Sequence, residues 1–334
     1  MPTWGEIGRE IQTTIAPNGM PDVDAVRRSY LFRISEYTGI PVILYATAFL
    51  DKPMVPGNLL QIELGDMQGF MEVVKGLPRG PLDVIVHSPG GVAEATESIV
   101  RYLRERFTPI RIFVPVVAKS AATMLALSAD EIVMGSHSEL GPIDPQIPIR
   151  DRLVPAQAII DEFLRAQSEL TNPVNLGAWL PILNGYYPGL LQMCQIQQDL
   201  SKDMVETWLS SYMFRRTRKR NERARQVATW FSNHSNFKSH SRQISRKTAR
   251  TQGVVITDLE QDPQIQDLVL SVYHATTYTF TLSPAAKIIE NNLGRAFIRM
   301  VNVPPMMPLN IASLVPVSLP SKPEDDEGQH TRES

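Results

Sequence analysis

Two junctions between apolar runs and small-residue turns constrain this chain more than any other feature. Leu82 to Val86 (LDVIV) is a short apolar run of the kind that forms a buried strand. His87-Ser88-Pro89-Gly90-Gly91 breaks it, and Val92 to Arg106 resumes with helical spacing. Ile110 to Val117 (IRIFVPVV) is a second strand run, and Ala118-Lys119-Ser120-Ala121-Ala122 follows it into a helix reaching Ser128. Strands that alternate with helices pair in parallel through crossovers, so both junctions belong at the C-terminal edge of one sheet. A strand-to-helix turn exposes backbone N–H groups that stabilise negative charge. Two such turns side by side supply converging donors, with Ser120 between them.

Bulk properties narrow the class. The 334 residues are 43% hydrophobic and 20% charged with a net charge of −2, enough for a large core and without a global field that favours nucleic acid. The single Cys194 excludes an intramolecular disulfide and fits a reducing compartment. No run approaches the roughly 18–20 apolar residues of a membrane span. The N-terminal MPTWGEIGREIQTT lacks the apolar core of a signal peptide, so the expected location is cytoplasmic, with peripheral membrane contact left open. The chain has no GxxxxGK[ST] or GxGxxG motif and no metal-ligand spacing, so no cofactor and no metal are expected.

Along the chain, residues 1–20 read as a flexible N-terminus and 21–302 as one domain. Its core spans 40–150, a helical part 155–253, and closing strands and helices 254–302. A helix capped by Asp22 or Asp24 is expected to run to Glu36, and Pro41 to Phe49 is expected to be a buried strand. Leu59 to Leu64 reads as another strand and Asp66 to Lys75 as a helix. Beyond Pro155, helices are expected over Ala156–Leu170, Gly189–Phe214, Thr217–Phe231, Ser245–Thr251, Pro263–Phe280 and Pro284–Asn291. Asn172 to Pro188 reads as a loop, and Val254–Leu259 and Ala296–Val301 as strands. Residues 303–334, rich in proline and then charge, read as a disordered tail.

The two junctions, with Ala129 to Gln146 (ADEIVMGSHSELGPIDPQ) behind them, resemble the Clp protease/crotonase superfamily. Within it the chain is similar to the serine dehydrogenase proteinase family, relatives of signal peptide peptidase A. The resemblance implies a Clp/crotonase-type α/β core with a helical C-terminal part. It makes Ser120 the nucleophile and gives the oxyanion hole to the Gly90–Gly91 turn and the Ala121 N–H. It also implies a homo-oligomer.

A serine hydroxyl needs a base. The lysine of the Ser-Lys relatives falls on the helix after GPIDPQ, and there this chain has Asp161, flanked by Ile160 and Glu162. His240 lies near the position of the Clp aspartate, and a histidine side chain can serve as a base at neutral pH. Lys119 adjoins the serine and is a second candidate. His137 stands a few residues early for a Clp-type histidine. Asp144, before a proline, reads as a turn residue, and His87 as structural. The run Phe214 to Arg225, dense in arginine, reads as the wet face of a helix whose apolar side is Val227, Trp230 and Phe231.

These residues point to a serine peptidase acting on peptide or protein substrates, with His240 or Lys119 as the base. The alternatives are a non-catalytic oligomeric scaffold and crotonase-type acyl-CoA chemistry with the carboxylate of Asp161 or Glu162 as the base. A separate ATPase or membrane-associated partner remains open, and a nucleic-acid partner is not expected.

Overall fold

The structure, a computed structural model, describes residues 2–150 and 152–301. α1 (Trp4–Thr13) and α2 (Val23–Thr38) precede β1 (Val42–Thr47). The one-turn α3 (Gly57–Leu60) and α4 (Asp66–Val74) lead to β2 (Gly80–His87), α5 (Ala93–Arg104) and β3 (Phe107–Val114). The two-residue β4 (Val117–Ala118) feeds α6 (Ala121–Leu127), then β5 (Glu131–Met134) and β6 (Glu139–Leu140). A hairpin of β7 (Gln146–Ile149) and β8 (Arg152–Pro155) opens a helical arm of α7 (Ala156–Glu169), α8 (Leu176–Leu183) and α9 (Leu190–Ser211). α10 (Arg220–Ser232), α11 (His234–Phe237), β9 (Ile244–Ser245), α12 (Arg246–Thr251) and β10 (Ile256–Asp258) return to the sheet. α13 (Pro263–Leu282), β11 (Ala285–Asn291) and β12 (Ala296–Met300) close it.

The main sheet has seven strands in the order β10-β5-β3-β2-β1-β11-β12. The five from β10 to β1 run parallel, and β11 and β12 add antiparallel. Strand residues alternate between two cores, as a sheet covered on both faces requires. Val84, Val86 and Ile112 pack with Ile99 and Leu103 of α5 on one face. Ile85, Phe113 and Val133 pack with Ile265 and Val269 of α13 on the other. This is the α/β core of strand–turn–helix units that the sequence led us to expect.

Four expected boundaries change. Residues 4–13, expected to belong to a flexible N-terminus, form α1: Thr3 forms a capping box with Glu6, and Ile7 and Ile11 are buried against Tyr278 of α13. The folded unit therefore begins before residue 21. Leu59–Leu64 is not a strand, since Leu60 closes a helical turn and only Ile62 makes an isolated bridge, to Gly91. The expected loop over 172–188 contains α8, which tolerates Pro181. Pro284–Asn291 is not helical; it is β11, between β1 and β12. Its Lys287 and Glu290 obscured the apolar pattern, yet both are buried and paired. Glu290 takes Arg27 at 2.6 Å, and Lys287 takes Asp66 at 2.6 Å. The expected tail at 303–334 lies outside the described residues.

The Lys287 pair also supports the site. Burial pulls the Lys287 ammonium pKa down, while the Asp66 charge works to hold the proton. Lys287 Nζ donates to the Gln61 carbonyl at 2.7 Å, and the Glu63 N–H donates to Asp66 Oδ2 at 3.1 Å. The segment holding Ile62 is thus fixed where it meets Gly91.

Candidate active site

Ser120 stands between β4 and α6 with φ 49° and ψ −122°. A serine that merely caps a helix takes extended backbone and accepts from an amide of the first turn. Ser120 does neither: its side chain makes no capping hydrogen bond, and the residue is half-exposed. Positive φ is costly for a residue with a Cβ and persists where the surroundings over-determine it. A sharp, strained strand-to-helix turn is also how a nucleophilic serine is pushed out of a sheet edge.

The two junctions meet. Ser88 N–H donates to the Val117 carbonyl and Lys119 N–H to the Ser88 carbonyl, each at 3.1 Å. On the other side of the glycine turn, Ile62 N–H donates to the Gly90 carbonyl at 2.7 Å, and Val92 N–H to the Ile62 carbonyl at 2.9 Å. Gly90 has φ 103°, and a Cβ placed on it would lie 2.6 Å from Lys119 O, 2.7 Å from Ser120 Cβ and 2.9 Å from Ala121 N. Only glycine fits there. Gly90 N–H reaches Ser88 Oγ at 3.2 Å. The Gly91 and Ala121 amides donate to no protein acceptor among the described residues. Gly90→Ala is therefore expected to push the turns apart and lower turnover by at least the roughly 10²–10³ that loss of one oxyanion donor costs. Activity within about threefold of wild type would show that the turns do not need this contact.

A second, three-stranded sheet has the order β4-β6-β9. β4 and β6 are parallel, and β6 and β9 antiparallel. Ser120 follows the end of β4, and Asp144 follows the end of β6. His240 precedes the start of β9, where Ile244 pairs with Leu140. All three therefore leave the same end of this small sheet. Asp144 is 2% exposed, and its carboxylate holds two imidazoles. His240 Nδ1 lies 2.8 Å from Oδ1, and His234 Nδ1 lies 2.9 Å from Oδ2. An ionised carboxylate only accepts, so the proton of each ring sits on Nδ1 and Nε2 is left with its lone pair.

Asp144 is thus more than the turn residue its sequence context suggested. Ile143 N–H, bonded to the Phe231 carbonyl at 3.0 Å, ties its segment to the end of α10. His234 was not singled out from the sequence at all. No sequence signal connected positions 144, 234 and 240, because the link is a tertiary clamp.

The other candidates are placed elsewhere or engaged. Lys119 Nζ pairs with Glu139 at 3.0 Å and donates to the Leu140 carbonyl at 3.2 Å, which fixes it along β6. His137 is exposed on the turn after β5 with its ring over Gly135. Asp161 is exposed on α7 and takes the Gln157 amide at 2.7 Å; Glu162 takes the Tyr186 hydroxyl. Neither carboxylate contacts the glycine turn or Ser120 among the described hydrogen bonds. In the basic run, Arg215, Arg216, Arg218, Arg220 and Arg225 are exposed, while Val227 and Phe231 are fully buried. No group of three or more His, Cys, Asp or Glu among the described residues has the arrangement to hold a metal ion. No described helix is long and apolar enough to cross a membrane.

His87, just before the glycine turn, is 1% exposed between the rings of Phe49 and Tyr273, and neither ring nitrogen has a partner. Burial pushes its pKa down to about 3. The folded state then binds fewer protons than the unfolded chain between about pH 6.5 and 3, so stability falls as pH drops through that window. At pH 5 the loss is about 2 kcal/mol at most. His87→Leu is expected to flatten this slope in denaturant titrations between pH 7 and 5; an unchanged slope would contradict it.

Comparison with known proteins then bears on these residues. Residues 56–174 match the family of ClpP-like SDH-type serine proteinases. The SDH-type match spans the glycine turn, Ser120 and Asp144, and ends before His234 and His240. Two uncharacterized proteins of Methanocaldococcus jannaschii align with parts of the chain. One is 32% identical over 112 residues, covering 33% of this chain and 37% of its own. The other is 36% identical over 87 residues, covering 26% and 30%. The chain thus spans about a third of the length of the curated relatives it matches. Among solved structures, a serine-to-alanine mutant of the 1510-N membrane-bound stomatin-specific protease overlays with TM-score 0.35 and 16% identity, over 61% of this chain and 77% of its own. A lysine-to-alanine mutant of the same protease with a substrate peptide gives TM-score 0.32 and 17% identity, over 55% and 62%. Overlays this loose transfer no residue roles.

Proposed function

We propose that the protein is a serine peptidase in which Ser120 attacks a peptide carbonyl and His240, oriented by Asp144, takes the serine proton. One observation carries this reading: Ser120 and the Asp144–His240 pair leave the same end of the β4-β6-β9 sheet. Acylation begins as Nε2 of His240 accepts the proton from Oγ. The Ala121 N–H and an amide of the Gly90–Gly91 turn hold the oxyanion; Gly91 is the turn amide without a protein acceptor among the described residues. His240 then donates to the leaving amine, and water reverses the sequence. Asp144 keeps the proton on Nδ1 and stabilises the imidazolium. The match to ClpP-like serine proteinases supports the chemistry, and peptides or proteins are the substrate class that follows. A fluorophosphonate probe tests the reading directly. Labelling on Ser120 is expected, and an unlabelled protein that binds partners would favour the non-catalytic scaffold. Acyl-CoA chemistry is disfavoured, since Asp161 and Glu162 are spent on Gln157 and Tyr186.

We also infer a homo-oligomer. Residues 170–198 contain no Asp, Glu, Lys or Arg, and Val174, Leu176 and Leu180 on this stretch are 85%, 54% and 50% exposed. Exposed apolar surface of this extent marks an interaction site. Among the aromatic residues of the helical arm, Trp179 and Trp208 are buried within the chain at 5% and 7%, whereas Tyr187 is exposed. Sedimentation at micromolar concentration is expected to exceed the 37.4 kDa of one chain, and a monomer would overturn the inference.

A further inference from the structure

In the small sheet, a side chain takes the place of one backbone rung. β4 and β6 are parallel, with Val117 opposite Glu139 and Ala118 opposite Leu140. The Glu139 N–H donates to the Val116 carbonyl at 2.7 Å. The bonds of a parallel ladder are evenly spaced, so the next one, two residues on, would run from the Gly141 N–H to the Ala118 carbonyl. The Gly141 N–H instead donates to Thr123 Oγ1 at 2.9 Å, and that hydroxyl donates to the Ala118 carbonyl at 2.7 Å. The proton directions are fixed, because an amide N–H only donates and a carbonyl only accepts. Thr123 is fully buried in α6. Gly141 also packs on the backbone just before the serine: a Cβ there would lie 2.6 Å from Lys119 Cδ and 3.3 Å from Lys119 Cα. One hydroxyl thus spans the two segments that leave this sheet, Ala118 leading to Ser120 and Gly141 leading to Asp144.

We propose that Thr123 is a positioning residue that sets where the Ser120 turn stands against the segment carrying Asp144; its consequence for turnover rests on the peptidase reading, but its effect on the turn does not. A direct rung would hold Ala118 and Gly141 at a single hydrogen bond, about 2.9 Å. The inserted hydroxyl holds them one oxygen further apart, and β4 gives way to the turn at this point. On the other flank, the Lys119 N–H donates to the Ser88 carbonyl at 3.1 Å, and Gly90 packs on Ser120. The turn is gripped from both sides, as a residue with a Cβ at φ 49° requires. Thr123→Val keeps the shape of the side chain but orphans a buried donor and a buried acceptor. The two pair only if the segments close up into the rung that the hydroxyl now interrupts, which moves Ser120 relative to β6. Misplacing a reacting group by about 1 Å costs about 10²-fold in rate. The loss falls on kcat rather than KM, because a fully buried side chain touches no substrate.

The test compares the full chain with its Thr123→Val and Thr123→Ser variants at a temperature where all three are folded. Thr123→Val is expected to lower both kcat on a peptide substrate and the rate of fluorophosphonate labelling by roughly 10–100-fold, with KM within about twofold. Thr123→Ser keeps the hydroxyl and is expected to stay within about threefold of wild type. Thr276→Val is the control: that threonine is equally buried, its hydroxyl donates to the Val272 carbonyl at 2.6 Å within α13, and its loss should leave both rates unchanged. Crystal structures report the same contact without any chemistry. In Thr123→Val, Ser120 should move by about 0.5–1 Å relative to β6 as the direct rung forms, and in Thr123→Ser it should not. Should the valine variant unfold, Thr123→Cys, with the size of serine but a weak donor, is read in the same two ways and is expected to lose activity where serine does not. A turn that stays in place without the threonine hydroxyl overturns the proposal, even where the fluorophosphonate labels Ser120. A displaced turn in a protein that no fluorophosphonate labels supports it while the peptidase reading falls.

Discussion

Asp144→Asn is expected to lower kcat by about 10⁴ while leaving the oligomer and secondary structure intact. The magnitude follows from tautomer control in serine hydrolases, where an amide in place of the carboxylate leaves the geometry but puts the imidazole proton on the wrong nitrogen. Here the amide of Asn would offer a donor toward one ring, driving that Nδ1 to accept and moving its proton to Nε2. If that ring is His240, it no longer accepts from Ser120. His240→Gln removes the base outright and should cost as much. Lys119→Met should change turnover only a few-fold, because its ammonium is held by Glu139 and Leu140. Steady-state kinetics of the three variants against one peptide substrate decide the matter. Full activity in Asp144→Asn together with a dead Lys119→Met would assign the base to lysine and end the histidine mechanism.

Ser120→Ala is expected to abolish both turnover and fluorophosphonate labelling. Ser120→Gly should do the same and also stabilise the fold by about 1–3 kcal/mol, the cost of holding a side chain at a sparsely populated backbone position. Alanine keeps the strain of φ 49° and ψ −122°, whereas glycine relieves it. A stability gain at an inactive site is the signature of strain retained for function. Part of it is offset, because glycine adds freedom to the unfolded chain. Denaturant midpoints of the two variants measure the difference. A glycine variant less stable than the alanine variant would show that the turn is unstrained, and labelling of Ser120→Ala would remove Ser120 from the mechanism.

Much of this was legible in the chain because it is local. The strand-length apolar runs LDVIV and IRIFVPVV, broken by glycine or small residues and followed by helical spacing, admit little besides parallel strand–turn–helix units. Their order alone places Gly90 and Ser120 at one sheet edge, since parallel strands put all their C-terminal ends on the same side. The choice of strand or helix at 285–291 was not local. Lys287 and Glu290 look like helix-surface charges until Asp66 and Arg27 arrive from distant segments to pair with them. The helix at 4–13 likewise depends on Tyr278, far along the chain, to bury its apolar face. The conformation of Ser120 is also tertiary. Its sequence fits a helix cap, and the packing of Gly90 against it determines that it is not one.

The sequence by itself determined the α/β core, the two junctions and the serine between them, because hydrophobic periodicity and turn chemistry act within a few residues. The tertiary structure alone decided the clamp of two histidines on Asp144. Asp144 lies 90 residues before His234 and 96 before His240, and no propensity or spacing links it to them. The β4-β6-β9 sheet brings them together, and a carboxylate sealed from water needs partners that only the folded chain supplies.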